Sequence, residues 1–134
     1  MNRVVFEIAG TPIAWKRVNP GPGHARPYDE QKREKMVIGY HIRQQFGTTP
    51  LLKPPLHCEM HFYFPIPKQH LKKKDSIAGT FYPNRPDADN LTKFILDVCQ
   101  GILYENDASV ASLIVKRMYD DGKGLRTWFC FEEV

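Results

Sequence analysis

Residues 56–64 read Leu-His-Cys-Glu-Met-His-Phe-Tyr-Phe, in which apolar side chains alternate with histidine, glutamate and tyrosine. Because successive side chains of a strand point to opposite faces, this alternation predicts a β-strand with one buried face. The other face would carry His57, Glu59 and His61, which strands usually present to solvent. A metal-ligand role is the alternative for these three, but they lack the H-E-x-x-H spacing of helical zinc sites. The predicted core-facing side chains are Leu56, Cys58, Met60, Phe62 and Phe64.

The sequence before this strand predicts another strand and a helix. Residues 4–9 alternate enough for a strand, and they lead into a Pro/Gly-rich stretch over 19–27 that excludes regular structure. A helix is predicted over 29–46, with Asp29 as its N-cap and Gly47 as its stop. Its apolar side chains recur every four residues, at Ile38, Ile42 and Phe46.

The sequence after the strand predicts a second helix and two further strands. A helix over 88–100 would stop at Gly101 and bury Leu91, Phe94, Ile95, Val98 and Ile102. Strands are predicted over 110–119 and 125–131, joined as a hairpin by the turn at 120–124. The order β-α-β-α-β-β predicts an α/β fold, a small mixed-sheet domain that spans residues 1–134.

Composition supports one folded domain. The chain has 134 residues, 42% of them hydrophobic and 25% charged, which is enough to bury a core and unlike a disordered chain. No apolar run is long enough to span a membrane, and the N-terminus lacks the pattern of a signal peptide, so we expect a soluble cytoplasmic protein. The three cysteines form no CxxC pair, which argues against a disulfide framework or a zinc site and favours small core residues.

The charges are unevenly distributed. Residues 1–64 carry a net charge of +4, residues 65–86 another +4, and residues 87–134 a net charge of −4. A basic protein favours a polyanionic partner. An acidic cluster within a basic chain is typical of proteins that cut nucleic acid with metal ions, because they need both signs of charge.

The segment that points to chemistry is Arg85-Pro86-Asp87-Ala88-Asp89-Asn90-Leu91-Thr92-Lys93, followed by Tyr104-Glu105-Asn106-Asp107. An acidic pair at a helix start is often a capping device. Two carboxylates so close also repel each other unless a cation lies between them, and Mg²⁺ is usually held by one or two carboxylates, water and phosphate oxygens. With Asp107 as a third carboxylate and Lys93 as a cation, the set suits phosphodiester hydrolysis.

This stretch resembles the RusA family of Holliday-junction resolvases, whose signature is D-x-D-N-L-x-K followed by a later aspartate. The resemblance covers residues 85–112 and implies that Asp87, Asp89 and Asp107 are magnesium-binding catalytic carboxylates and that Lys93 is catalytic. It also implies a RusA-like fold and a homodimer that cuts opposed strands of a four-way junction. Members often have two aspartates at the last site, where this chain has Asn106 before Asp107. The matching residues are Asp87, Asp89, Asn90, Leu91, Lys93, Asp97 and Asp107.

Other residues are candidates for DNA contact. The three consecutive lysines at 72–74 lie either in a solvated loop or, beside Lys68 and Arg85, in a loop that contacts phosphates. Phe81-Tyr82 would either pack as an anchor or wedge into an opened junction. Asp97 has either a direct role or a structural one as the i,i+4 partner of Lys93. The predicted DNA-binding set is Lys16, Arg17, Lys68, Lys72, Lys73, Lys74 and Arg85.

The function predicted is a Mg²⁺-dependent, structure-selective endonuclease that resolves Holliday junctions by paired nicks in DNA recombination and repair. The partners would be four-way or other branched DNA and a second copy of the chain, with no membrane. The alternatives are a catalytically inactive branched-DNA-binding protein of the same fold, and a metal-dependent phosphohydrolase of a small substrate. For the dimer, Leu96 with Trp128 or Phe129 is the expected self-complementary patch.

Overall fold

The structure is a computed structural model that describes residues 2–16, 19–20, 27–28, 31–73 and 77–134. Two α-helices and a four-stranded sheet make up most of it. The elements in chain order are β1 (Arg3–Ala9), β2 (Asn19–Pro20), β3 (Pro27–Tyr28), α1 (Lys32–Phe46), β4 (Leu56–Phe64), a 3₁₀ helix (Lys68–Lys73), α2 (Ala88–Cys99), a second 3₁₀ helix (Asp107–Ser109), β5 (Val110–Tyr119) and β6 (Arg126–Glu133).

The main sheet has the strand order β1-β6-β4-β5 and is mixed, which confirms the predicted fold class. Strand β4 pairs in parallel with β5 and antiparallel with β6, and β1 pairs antiparallel with β6. Strands β2 and β3 form a separate two-stranded pair at the two ends of the Pro/Gly-rich stretch, so the prediction that 19–27 excludes regular structure is wrong there. Burial along β4 alternates without interruption, as its sequence predicts. We call the sheet face with Met60 the helix face and the face with His61 the open face.

The predicted hairpin between the last two strands is wrong. Strand β4 lies between β5 and β6, and residues 120–125 cross its C-terminal end. The Asp120 carboxylate accepts hydrogen bonds from the N–H groups of Gly122 and Gly124, while the Asp120 N–H donates to Phe64 O at 2.7 Å. The glycine-rich turn therefore exists, but its strands pair with β4, whose alternation buries one full apolar face, instead of with each other.

Both helices pack on the helix face, where their apolar stripes join one hydrophobic core with Phe6, Met60 and Phe129. The predicted core sides of both helices are buried, with Ile102 half-buried at the edge. Helix α1 ends at Gly47 as predicted but begins at Lys32, after Gln31, whereas the predicted cap Asp29 lies outside the described residues. Gly39 allows α1 to approach α2, since a Cβ there would lie 3.3 Å from Ile102 Cδ1.

The three cysteines are buried and free, as their core assignment predicts. Burial raises the pKa of the Cys58 and Cys99 thiols above the usual thiol value, so both stay protonated at neutral pH. In the described ranges, no helix is long and apolar enough to cross a bilayer.

Candidate active site

The turn before α2 is held by side chains from neighbouring elements. Tyr82 stacks on Phe64 with ring centroids 4.2 Å apart, and its hydroxyl donates to Arg85 O at 3.0 Å. From β5, the Arg117 guanidinium donates to Asn84 O at 2.6 Å and to Pro86 O at 3.1 Å. The Arg85–Pro86 peptide bond is cis. The sheet thus fixes the position from which α2 starts.

Asp87 and Asp89 are exposed at this start. Asp87 occupies the N-cap position in an extended conformation, yet its side chain makes no capping hydrogen bond. Within the described residues, the one hydrogen bond of Asp89 Oδ1 is a local one from the Asn90 N–H, at 2.9 Å. Arg85, Pro86, Asp87 and Asn90 line an open cleft of about 380 Å³. Asp89 lines a second open trough, which also contains Lys93. Two exposed carboxylates two residues apart fit Mg²⁺, which takes one or two carboxylates and fills its other positions with water and phosphate oxygens.

Lys93 lies one turn after Asp89 on α2 and is exposed. Its Nζ lies 4.5 Å from the centroid of the Trp15 ring. The Trp15 N–H donates to Asn90 O at 2.8 Å, which joins the segment after β1 to the first turn of α2. The sequence gives no signal for this contact, because Trp15 and Lys93 are far apart along the chain.

Asp107 lies at the other end of α2. The single proton of the Tyr104 hydroxyl is shared between two acceptors, Asp107 Oδ1 at 2.9 Å and Leu96 O at 2.7 Å from the phenol oxygen. Leu96 follows Asp89 by seven residues, which is about 10 Å along a helix. Within the described part of the chain, no group of three or more His, Cys, Asp or Glu side chains is placed to hold a metal ion. One chain therefore does not bring Asp107 to the acidic pair.

The environment of Asp107 shifts its pKa. Burial raises the pKa of this carboxyl above its usual value, and nearby Asp97 raises it further. The hydrogen bond from Tyr104 acts in the opposite direction, because it stabilises the ionised form.

Asp97 pairs with α1 and not with Lys93. Its Oδ2 lies 2.7 Å from Lys35 Nζ, so the predicted i,i+4 partnership with Lys93 is wrong. The physical reason is that α1 brings a lysine to Asp97 while Trp15 takes up the ammonium of Lys93.

The polar residues of β4 make hydrogen bonds on the open face, either with each other or with β5. His61 Nε2 lies 2.6 Å from Glu59 Oε2, and His57 Nδ1 lies 2.9 Å from Ser112 Oγ. His61 also packs against Trp128, with ring centroids 4.7 Å apart. These contacts favour the solvent-facing interpretation over a metal site.

Among the predicted DNA-binding residues, Lys16, Lys68 and Arg85 are exposed, and Arg85 borders the acidic cleft. Arg17 and Lys74 lie outside the described residues, as do the side chains of Lys72 and Lys73.

Some residues of the aromatic pair at 81–82 and of the expected dimer patch are buried in the core, and others are exposed. Tyr82 is a packing anchor, whereas Phe81 is 71% exposed. Phe129 is buried in the core, so its place in a dimer patch is wrong. Trp128 lies on the open face and Leu96 on the helix side, so these two cannot form one patch either.

Comparison with known proteins gives two matches. The chain is 25% identical over 130 residues to "Uncharacterized protein YqaN" of Bacillus subtilis (strain 168), an alignment that covers 90% of this chain and 91% of that protein. Residues 12–126 match the family described as "Endodeoxyribonuclease RusA", which includes β4, both helices, β5 and the acidic segment. The chain therefore belongs to the RusA endodeoxyribonuclease family.

Proposed function

We propose that this protein is a Mg²⁺-dependent endonuclease that resolves four-way DNA junctions by paired nicks, in recombination and repair. The observation that carries the proposal is the exposed pair Asp87 and Asp89 at the start of α2, with Asp87 in a cleft bordered by Arg85 and Asp89 in a trough that also contains Lys93. A side chain that serves only as a helix cap would accept a hydrogen bond from a backbone N–H of the first turn, and Asp87 does not. The cytoplasmic location stays a prediction from the sequence.

The residues would divide the chemistry as follows. Asp87 and Asp89 would hold Mg²⁺, which when bound lowers the pKa of a coordinated water and stabilises charge on the phosphate. Lys93 would stabilise negative charge that develops near the scissile phosphate. Arg85 and Lys68 would contact neighbouring phosphates of the backbone, with Lys16, Arg17 and the 72–74 run as further candidates.

Asp107 would join this set only from a second copy of the chain. Helix α2 and strand β5 run in opposite directions, since Pro86 lies beside Arg117 and Leu96 lies beside Asp107. A two-fold axis near the middle of β5 would therefore bring the partner's Asp107 toward Asp87 and Asp89. Such a dimer would also present two identical sites to the two opposed strands of a junction.

The free edge of β5 is the surface that suits this second copy. Among the described residues, its outer edge is paired only near its end, where Tyr82 N–H donates to Arg117 O and Tyr119 N–H donates to Thr80 O. The unpaired part exposes apolar side chains on both faces, with Leu113 44% and Ile114 42% exposed. An unprotected apolar edge is a template for strand addition.

Charge favours a second copy in antiparallel orientation. The chain is acidic at Glu105 and Asp107, just before β5, and basic at Lys116 and Arg117, near its end. Antiparallel pairing of two β5 strands would place each acidic end beside the basic end of the partner. The same pairing would lie beside the trough that Asp89, Lys93, Leu96 and Leu113 line, so the partner would border the proposed site.

The test of the nuclease compares a four-way junction, a duplex and a single strand, with and without Mg²⁺. We expect paired nicks in the junction only, and loss of cutting with retained junction binding in Asp89→Asn. Glu34→Gln, on the exposed side of α1, is the matched carboxylate control. Binding without any cutting would favour the inactive DNA-binding alternative, and hydrolysis of small phosphodiesters alone would favour the phosphohydrolase.

The shared site has its own test in mixed dimers. Asp89→Asn and Asp107→Asn protomers should each be inactive alone. If Asp107 acts across the dimer, a mixed dimer contains one complete site and regains nicking of a single strand. No recovery on mixing would show that all three carboxylates act within one chain.

A further inference from the structure

We infer that Trp15 is a positioning residue for Lys93 and that the buried side chain of Gln31 holds Trp15 in place. The inference rests on the proposed role of Lys93, but the contact itself can be tested without any catalysis. It starts from the segment after β1, which the family signature at residues 85–93 does not include.

Gln31 ties this segment to the start of α1. Its side chain is buried, at 3% exposure, and both ends of its amide bind backbone on either side of Trp15. Its Nε2 donates to Ala14 O at 2.6 Å, and its Oε1 accepts from the Lys16 N–H at 2.8 Å. A buried amide that is satisfied at both ends fixes the backbone it binds.

Trp15 is also tied to α2. The backbone N–H of Trp15 donates to Asn90 O, in the first turn of the helix that carries Asp89 and Lys93. The three consecutive residues 14–16 are thus bonded to the start of α1 and to the start of α2. These bonds fix the backbone at Trp15 relative to the acidic pair, and the half-buried indole packs against the hydrophobic core.

The ring lies under the ammonium of Lys93, with 4.5 Å between Nζ and the ring centroid. A lysine side chain has many rotamers, and a cation over an indole face selects among them. Lysine also pairs readily with carboxylates four residues away on a helix, which here are Asp89 and Asp97. Asp97 is taken by Lys35, and the ring attracts Nζ away from Asp89, one of the proposed metal ligands.

The contact can be measured by fluorescence, because the chain has two tryptophans. Trp128→Phe leaves Trp15 as the only indole, and Trp128 lies on the open face against His61. In this background, Lys93→Met should change the emission intensity and maximum of Trp15. In the matched Trp15→Phe background, the same Lys93→Met should leave the emission of Trp128 unchanged. Equal spectra with and without Lys93 in the first background would overturn the contact.

The positioning role is measured by junction cleavage. Trp15→Leu should lower kcat about 3- to 30-fold with KM nearly unchanged, the range expected from loss of one cation–π contact. Trp15→Phe should restore most of that loss, since its ring keeps a π face. In a Lys93→Met protein, Trp15→Leu should not lower kcat any further. Additive losses of kcat from the two substitutions would refute the positioning role. If Lys93→Met cuts normally, the proposed role of Lys93 fails, while the fluorescence result stands on its own.

Discussion

Removal of the Tyr104 hydroxyl should destabilise the protein and shift the pH dependence of cutting. In Tyr104→Phe, the ring stays packed against Phe131 while the bonds to Asp107 Oδ1 and Leu96 O are lost. A hydrogen bond to a charged acceptor contributes about 1.5–3 kcal/mol, and partial exposure of Asp107 favours the lower end. With an unfolding entropy of about 2.1 cal/mol/K per residue, a loss of about 1.5 kcal/mol lowers the Tm of this chain by about 5 K.

The sign of the pH effect follows from Asp107. The Tyr104 bond lowers the pKa of Asp107, so its removal raises that pKa further above the usual carboxyl value. The stability gap between wild type and variant should therefore widen as pH rises and Asp107 ionises. If an ionised Asp107 holds metal, the acid limb of the cleavage profile should move to higher pH.

Thermal unfolding between pH 4 and pH 8, with cleavage rates over the same range, measures both effects. Tyr40→Phe on the exposed side of α1 is the control, and we expect it to change neither the Tm nor the pH profile of cleavage. The Tyr104→Phe cost should also shrink in an Asp107→Asn background, because the charged acceptor is gone. An equal loss of stability in both backgrounds would refute the assigned bond, and an unmoved acid limb would refute a metal-holding role for Asp107.

Three further outcomes are expected. Asp121→Asn should destabilise the protein by about 1 kcal/mol near pH 7. The Arg126 guanidinium binds both Asp121 oxygens at 3.0 and 3.1 Å and lowers the pKa of that carboxyl to about 2. Urea titrations should therefore show the stability difference vanish as pH falls from about 4 to 2. Gly39→Leu should cost about 1–3 kcal/mol by overpacking against Ile102, whereas Gly39→Ala should stay within about 1 kcal/mol of wild type in the same titrations. Leu113→Lys should give monomers by light scattering and lose paired nicking, and a stable dimer of that variant would place the interface elsewhere.

Strands β1, β4 and β5 and helix α2 are predicted with bounds right to within one residue, and β4 and α2 have the clearest period. Strand β4 alternates strictly in sequence, and α2 has an apolar stripe bounded by Asp87 and Gly101, so both follow from local patterns. The hairpin prediction failed because a glycine-rich turn is a local signal, whereas the choice of partner strand is not. Two strands that follow one another can each gain more by pairing with a third strand that buries one full apolar face, as β4 does.

The acidic segment was visible in sequence because its spacing is short and its residue types are specific. The sequence does not show that Asp107 lies far from Asp89, because this separation depends on the Tyr104 hydroxyl holding the Asp107 carboxylate beside Leu96. Contacts such as Trp15 with Lys93 join segments far apart along the chain. No periodicity predicts a pairing of that kind.

The position of β6 between β1 and β4 has a consequence for how the chain is made. A ribosome delivers β1 and β4 long before β6, and neither of those two strands pairs with the other. The two edges that β6 will occupy therefore stay open during synthesis, and β1 can enter the sheet only after residues 126–133 have emerged. Sheet closure is thus a late, long-range event, and the nascent chain carries two unpaired strand edges until then.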